Sequence, residues 1–126
     1  MIAVDTSALV AIVMDEPEAD RCQAALSTGG RLLMSAGTLT EVLIVAARRG
    51  ASSDMDVLLN GLPLEVLPVT GETARRAAAA YDSWGKGVHP AGLNLGDCFA
   101  YAIAREHECA LLYVGNDFAL TDITAA

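Results

Sequence analysis

The segment MIAVDTSALVAIVM, Met1–Met14, combines a short apolar run, one acid and a longer apolar stretch. The run before Asp5 is too short for a helix and is apolar on both faces, which predicts a buried strand. Thr6 or Ser7 can cap a helix that continues through the following apolar residues. The segment therefore predicts a strand that passes directly into a helix, with a carboxylate at the carboxyl end of the strand.

The same unit recurs along the chain. Three further apolar runs predict strands, and the segments between them have helical patterns and caps. These runs are RLLMS (31–35), LEVLPV (64–69) and CALLYV (109–114). Short strands that are apolar on both faces are typical of parallel sheets covered by helices. We predict one α/β domain over residues 1–126, a three-layer α/β/α sandwich with four or five mostly parallel strands in the order β-α-α-β-α-α-β-α-α-β.

Composition limits the classes of protein that fit. The formal net charge of −8 argues against a non-specific nucleic-acid binder, although an enzyme whose carboxylates bind cations could still act on nucleic acid. The amino-terminal segment lacks a basic region, and no apolar run approaches the ~18 residues that cross a bilayer. We therefore expect a soluble cytoplasmic protein without a membrane partner. The three cysteines form no CxxC pair, so we expect reduced thiols and no zinc site.

Four acids fall near the predicted carboxyl edge of the sheet. Asp5 ends the first strand, and Glu41 lies on the helix after the second strand. Asp97 is predicted to begin the helix before the last strand, and Asp117 follows that strand. Ligands of open parallel sheets bind at this edge. Converging carboxylates need compensation, and Mg²⁺ or Mn²⁺ prefers such oxygen ligands and can activate water against a phosphodiester.

Each acid also has an ordinary structural interpretation. Asp5 and Asp97 could be helix caps, Glu41 could be solvated on its helix, and Asp117 could be a loop acid. The four together are more specific than any one of them. Glu16 and the remaining acids are interpreted as surface charges.

Several stretches carry a resemblance to a known family. They are DTSALVAIVMDEPEA (5–19), TLTEVLIVAARR (38–49), YDSWGKGVHPAGLNLGDCFAYAIA (81–104) and LLYVGNDFALTDI (111–123). In this order they resemble the PIN-domain ribonucleases of the VapC toxin type. The resemblance implies a PIN-like α/β/α sandwich and Mg²⁺- or Mn²⁺-dependent cleavage of RNA as the toxin of a type II toxin–antitoxin module. It also implies an acidic catalytic and metal-binding site at Asp5, Glu41, Asp97 and Asp117.

The resemblance is weakest around the fourth acid. Many relatives have two adjacent acids where this chain has Asn116 and Asp117, so Asn116 could bind metal or water through its amide oxygen. Asp122 is a further acid near that end. Further candidates for hydrogen bonds to a metal-bound water or to the scissile phosphate are Thr6, Ser7 and Asn94.

The family also implies partners. A cognate VapB-like antitoxin would block the acidic site with its carboxyl-terminal segment, and the net negative charge suits a basic partner. Homodimers are usual in the family, and the apolar stretches ALVAIVM and VLIVAA fit either a dimer interface or a core. The candidates for RNA contacts are Arg48, Arg49, Lys86 and His89; for any one of them an ordinary surface charge is an alternative.

Two other functions stay open. An aspartyl phosphatase-like enzyme would use Asp5 as nucleophile, but that chemistry usually has a second acid two residues on, where Ser7 stands, and a nearby lysine, for which Lys86 is the sole candidate. A non-catalytic protein could instead use an acidic groove only to dock a basic partner tail.

Overall fold

The computed structural model describes all 126 residues and contains the helices and strands in the predicted order. Four strands alternate with pairs of helices, and a short 3₁₀ helix follows the last strand. The elements are β1 (Ile2–Val4), α1 (Thr6–Val13), α2 (Ala19–Leu26), β2 (Leu32–Ser35), α3 (Ala36–Arg48), α4 (Ser52–Gly61), β3 (Leu64–Leu67), α5 (Gly71–Trp84), α6 (Leu95–Glu106), β4 (Ala110–Leu112) and the 3₁₀ helix (Phe118–Leu120). The predicted alternation is confirmed.

The strands form one parallel sheet in the order β3-β2-β1-β4. The central strand β1 pairs Ala3 with Leu33 of β2 on one side and with Leu111 of β4 on the other. The direction in which strands are added reverses between β1 and β4. This reversal is the kind of switch point at which open α/β sheets bind ligands beyond the carboxyl ends of their strands.

Successive strand residues face opposite layers of helices, as the period of a strand requires. One core combines Ala3, Leu33 and Leu111 with the buried faces of α5 and α6. The other combines Val4, Met34 and their neighbours with α1, α2, α3 and α4. The predicted three-layer α/β/α sandwich is confirmed, with four strands that are all parallel.

Helix α6 begins two residues earlier than predicted. Asn94 is its N-cap, and Asp97 lies at the third helical position. The Asn94 side chain accepts a hydrogen bond from the Asp97 backbone N–H, while the Asp97 carboxylate accepts one from the Asn94 backbone N–H. This reciprocal capping box satisfies two amides that a helix start leaves free. The prediction that Asp97 begins the helix was therefore wrong.

Two glycines let α3 and α6 approach each other closely. A Cβ on Gly37 of α3 would lie 2.7 Å from Cγ of Phe99, and a Cβ on Gly96 of α6 would lie 2.6 Å from Cδ of Glu41. A side chain at either position would therefore require the facing side chain, Phe99 or Glu41, to move. The close approach brings the first turns of two helices that follow different strands to the same edge of the sheet.

The apolar surface of α3 is only partly covered. Val42 and Ala46 are buried, whereas Leu43 and Ile44 are 44% and 55% exposed. The apolar stretch VLIVAA, which fits either a core or a dimer interface by its sequence, is thus covered on only one side within the single chain. No helix combines the length and apolar character needed to cross a membrane.

Candidate active site

Asp5 lies directly beyond β1 and caps α1. Asp5 is only 3% exposed. Oδ2 accepts hydrogen bonds from the Ser7 backbone N at 3.0 Å and from Ser7 Oγ at 2.6 Å, but Oδ1 is shielded from water and has no partner. Burial raises the pKa of Asp5 to about 6, against the opposing effect of the Ser7 hydrogen bonds. An ionised Asp5 therefore lacks compensation within the chain.

Ser7 joins the two strands that flank the switch point. Its Oγ accepts a hydrogen bond of 2.9 Å from the Val114 backbone N while it donates to Asp5. The Asp5 backbone N donates to the Leu112 carbonyl at 3.0 Å. The orientation of the Asp5 carboxylate is thus fixed by the chain that leaves β4 as well as by α1.

Glu41 reaches the same edge from α3. The Thr6 hydroxyl donates a hydrogen bond of 2.6 Å to Glu41 Oε1, so the residue next to Asp5 holds this second carboxylate. The Glu41 carboxylate lies against the backbone of Gly96 at the start of α6. Glu41 is half-buried.

Asp97, in the first turn of α6, is the third acid of this group, after Asp5 at the start of α1 and Glu41 in the second turn of α3. Burial raises the pKa of Asp97 to about 6, and the negative charges of Asp5, Glu41 and Asp117 add to that shift. The charges of the other three predicted acids are therefore close enough to Asp97 to act on it. Asp117 is exposed at the N-terminus of the 3₁₀ helix, and its side chain makes no capping hydrogen bond.

A pocket of about 320 Å³ contains most of this group. Three acids of the group line it together with residues from α1, α3 and the chain after β4: Asp5, Thr6, Ser7, Val10, Glu16, Glu41, Val45, Arg49, Asp97 and Val114. No three acidic, histidine or cysteine side chains are arranged to hold a metal ion as they stand. The donor set nevertheless suits a hard divalent cation, because it consists of carboxylate oxygens and one buried oxygen, Asp5 Oδ1, that lacks a partner.

The structure places Asp122 in a different cluster. Its Oδ1 accepts a hydrogen bond of 2.6 Å from the Tyr101 hydroxyl, which in turn accepts one of 3.0 Å from Trp84 Nε1. Asp122 Oδ2 is 3.8 Å from Arg105 in the last turn of α6. Asp122 neither lines the acidic pocket nor contributes to the pKa shift of Asp97. Asp122 therefore has partners of its own, Tyr101 and Arg105.

Of the remaining candidate residues, some hold the acids and others lie outside the acidic pocket. Asn94 holds Asp97, Thr6 holds Glu41, and Ser7 holds Asp5. Asn116, Lys86, His89 and Arg48 do not line the acidic pocket. His89 packs edge-on against Trp84 and accepts from the Ala91 backbone N, and Lys86 lines a separate apolar groove between α5 and α6.

Two residues of the pocket were not distinguished by sequence reasoning. Glu16 was interpreted as a surface charge, yet it lines the pocket and lies 3.8 Å from Arg49. Arg49 was not separable from its neighbour Arg48. The helical spacing of Glu41, Val45 and Arg49 is the signal that could have found the second of these residues.

The family model of the PIN domain matches residues 2–123. The chain belongs to the PIN-domain family. Its relatives include Mycobacterium bovis VapC ribonuclease Mb0640 and Mycobacterium tuberculosis ribonuclease VapC30, each 42% identical over 97% of this chain and 95% of the relative. Mycobacterium tuberculosis ribonuclease VapC36 is 44% identical over 95% of this chain and 89% of the relative. Within the PIN-domain family, the chain is therefore a member of the VapC group.

The fold also matches solved structures of this group. The crystal structure of Mycobacterium tuberculosis VapC20, described as a sarcin–ricin loop cleaving toxin, has a TM-score of 0.81 at 16% identity and covers 100% of this chain and 98% of that chain. A toxin–antitoxin complex from Klebsiella pneumoniae has a TM-score of 0.75 at 20% identity, with coverage of 100% and 97%. At these identities the match extends to the fold alone.

Proposed function

We propose that this VapC-family protein is a Mg²⁺- or Mn²⁺-dependent endoribonuclease that acts as the toxin of a type II toxin–antitoxin module. The relatives named as ribonucleases support the reaction class. The observation that carries the proposal is Asp5 Oδ1, a buried carboxylate oxygen without a partner, beside Glu41 and Asp97 at the switch point of the sheet. A protein retains such an uncompensated acid where its charge is used.

The residues that would hold the cation are Asp5, Glu41, Asp97 and Asp117. When bound, the ion would activate a water as nucleophile and stabilise the charge that develops on the phosphodiester. The chain supplies the positions of the ligands: Ser7 orients Asp5, Thr6 orients Glu41, and Asn94 orients Asp97. Each orienting contact uses one oxygen of its carboxylate, so the other oxygen of each remains a ligand.

The chain's own groups contribute little else to the chemistry. In this proposal the Ser7 hydroxyl, which donates to Asp5 and accepts from the Val114 backbone N, orients Asp5, and the pocket acids bind the cation. Water is therefore the nucleophile in this proposal. Attack by water on phosphorus, with cleavage of the P–O3′ bond and departure of the 3′ oxygen as a hydroxyl, would leave a 5′-phosphate and a 3′-hydroxyl on the products.

The groups that the phosphatase alternative requires are not in the positions it needs. Lys86, the sole lysine, does not line the pocket that contains Asp5. Ser7, at the position where such enzymes usually carry an acid, is bonded to Asp5 itself. The docking alternative uses the same acidic pocket and differs only in the absence of metal binding and cleavage.

A cognate antitoxin is the partner that fits the charge of this pocket. Solved neighbours described as VapBC complexes from Rickettsia felis and Salmonella typhimurium support such a partner. A basic side chain on its carboxyl-terminal segment would relieve the repulsion among Asp5, Glu41 and Asp97 and would exclude RNA. The homodimer and the cytoplasmic location stay predictions.

Replacement of Asp97 tests the proposal. In Asp97→Asn the amide oxygen can still accept from the Asn94 backbone N, so the capping box and the fold should survive. We expect Mg²⁺-dependent cleavage of total RNA to fall by about 100-fold or more, as for other groups that act on transition-state charge. Asp56→Asn, an exposed acid on α4, is the matched control and should cleave normally. Full activity of Asp97→Asn would refute the assignment.

A further inference from the structure

The acidic pocket continues away from the acids along a groove between α1 and α3. Glu41, Val45 and Arg49 form one stripe with a spacing of four residues, and Val10 of α1 lines the same pocket. Arg49 follows Glu41 by eight residues, which corresponds to about 12 Å along the helix axis. One end of the groove is therefore acidic and the other carries a cation.

Arg49 is the one cationic side chain among the residues that line this pocket. Its Nη1 lies 3.8 Å from Glu16 Oε2, and the side chain is 50% exposed. That separation is longer than a hydrogen bond, and exposed pairs of this kind are weak. The guanidinium is held in the groove but can change partner.

We propose that Arg49 binds a backbone phosphate of the RNA strand, further along than the phosphate that is cleaved, and that Glu16 holds Arg49 when RNA is absent. The inference rests on the proposed ribonuclease function. A planar guanidinium binds phosphate with two parallel hydrogen bonds, which a carboxylate at 3.8 Å does not provide. RNA displaces Glu16 from Arg49, and the metal end of the groove receives the scissile phosphate.

Arg48 provides an internal comparison. It has the same charge and is also exposed, but it lies about 100° further round the helix and does not line the pocket. The two arginines contribute equally to net charge and to long-range attraction of RNA. Only Arg49 is placed to contact a strand that enters the groove.

The test compares Arg49→Gln, Arg48→Gln and Glu16→Gln, each combined with Asp97→Asn so that the RNA stays intact. Binding of a short fluorescein-labelled single-stranded RNA is followed by anisotropy in Mg²⁺ over a range of salt concentrations. We expect Arg49→Gln to weaken binding about tenfold and to reduce the salt slope by about 0.7, the value for one lost phosphate contact on a single strand. Arg48→Gln should stay within about twofold of the background protein.

Glu16→Gln distinguishes phosphate binding from a purely structural ion pair. If the pair only stabilised the fold, removing either partner would have the same small effect on melting temperature and none on RNA. The proposal requires opposite signs, with Arg49→Gln weakening RNA binding and Glu16→Gln tightening it about two- to threefold, because Glu16 no longer competes.

Equal affinities for the Arg49→Gln and Arg48→Gln proteins, including the absence of binding by both, would overturn the inference. So would weakened binding in Glu16→Gln. These outcomes are separate from the test of function, which uses the Asp97→Asn and Asp56→Asn proteins without changes at Arg49. Loss of cleavage in Asp97→Asn, together with equal RNA binding by the two arginine variants, would leave the nuclease assignment intact and remove only the role of Arg49.

Discussion

Two polar clusters involve α6, and they treat their carboxylates in opposite ways. In the Trp84–Tyr101–Asp122 cluster, the carboxylate accepts a hydrogen bond of 2.6 Å from Tyr101 and lies near Arg105. At the start of α6, Asp97 shares its surroundings with three other acids, and Asp5 keeps a buried oxygen without a partner. A paired carboxylate stabilises a fold, whereas an uncompensated one destabilises it and points to function.

The largest effect is expected at Asp5, where one substitution should lower activity and raise stability. We expect Asp5→Asn to lower RNA cleavage by about 100-fold or more, because it removes a ligand of the proposed metal ion. The same change should raise the free energy of unfolding at pH 7 by roughly 2 kcal/mol, because it replaces a buried charge with a neutral amide. The amide oxygen can still accept the hydrogen bond from Ser7. Urea denaturation without metal measures the second effect.

The gain in stability expected for Asp5→Asn should depend on pH. The folded-state pKa of Asp5, about 6, lies above its ordinary value of 3.8, so the folded state binds the proton more tightly. The stability from this group is complete below the ordinary value and is lost as pH rises through about 6. The advantage of Asp5→Asn should therefore vanish near pH 4 and be greatest above pH 6. An advantage that is constant with pH would contradict buried charge as its cause.

Gly96 tests whether the position of Glu41 matters. Gly96→Ala places a methyl group 2.6 Å from Glu41 Cδ, so the end of this flexible side chain must move. We expect cleavage to fall about tenfold, since small misplacements of catalytic groups have effects of this order or larger. The melting temperature should change little, because alanine favours the helix and only a side-chain end is displaced.

Gly71→Ala is the control for this change. It also lies in the first turn of a helix, and its added methyl group meets no atom within 4 Å. It should leave cleavage unchanged. If Gly96→Ala cleaves as well as Gly71→Ala, the present position of Glu41 is not required for the reaction.

The smallest effect is expected in the paired cluster. Asp122→Asn weakens the hydrogen bond from Tyr101, which should lower the free energy of unfolding by about 1 kcal/mol and leave cleavage within about twofold. Chemical denaturation and the RNA assay measure the two quantities. A large loss of cleavage in a folded Asp122→Asn protein would return Asp122 to the active site and remove the contrast between the clusters.

The order of strands and helices was predictable because the apolar runs are short, are bounded by caps and glycines, and alternate with helical patterns. The acid at the end of β1 was predictable for the same reason. The start of α6 was not predicted although Asn94 and Asp97 have capping-box spacing, because Asp97 is itself a residue type that caps helices.

Other features depend on tertiary packing and have no local signal. Arg48 and Arg49 are adjacent and have the same charge, and only the packing of α3 against α1 decides which of them lines the pocket. The sequence alone could therefore not separate them. Asp122 lies close to Asp117 in sequence, but in the fold its side chain is bonded to Tyr101 of α6. The exposure of Leu43 and Ile44 likewise depends on what covers α3 in the folded chain.

Titration calorimetry with Mn²⁺ tests the central claim most directly, because it asks whether these acids bind the divalent cation proposed for them. We predict that the wild-type protein binds Mn²⁺ at or below millimolar concentration, and that Asp5→Asn loses most of this binding while Asp122→Asn retains it. No binding by the wild-type protein, or equal binding by the Asp5→Asn and Asp122→Asn proteins, would contradict the account.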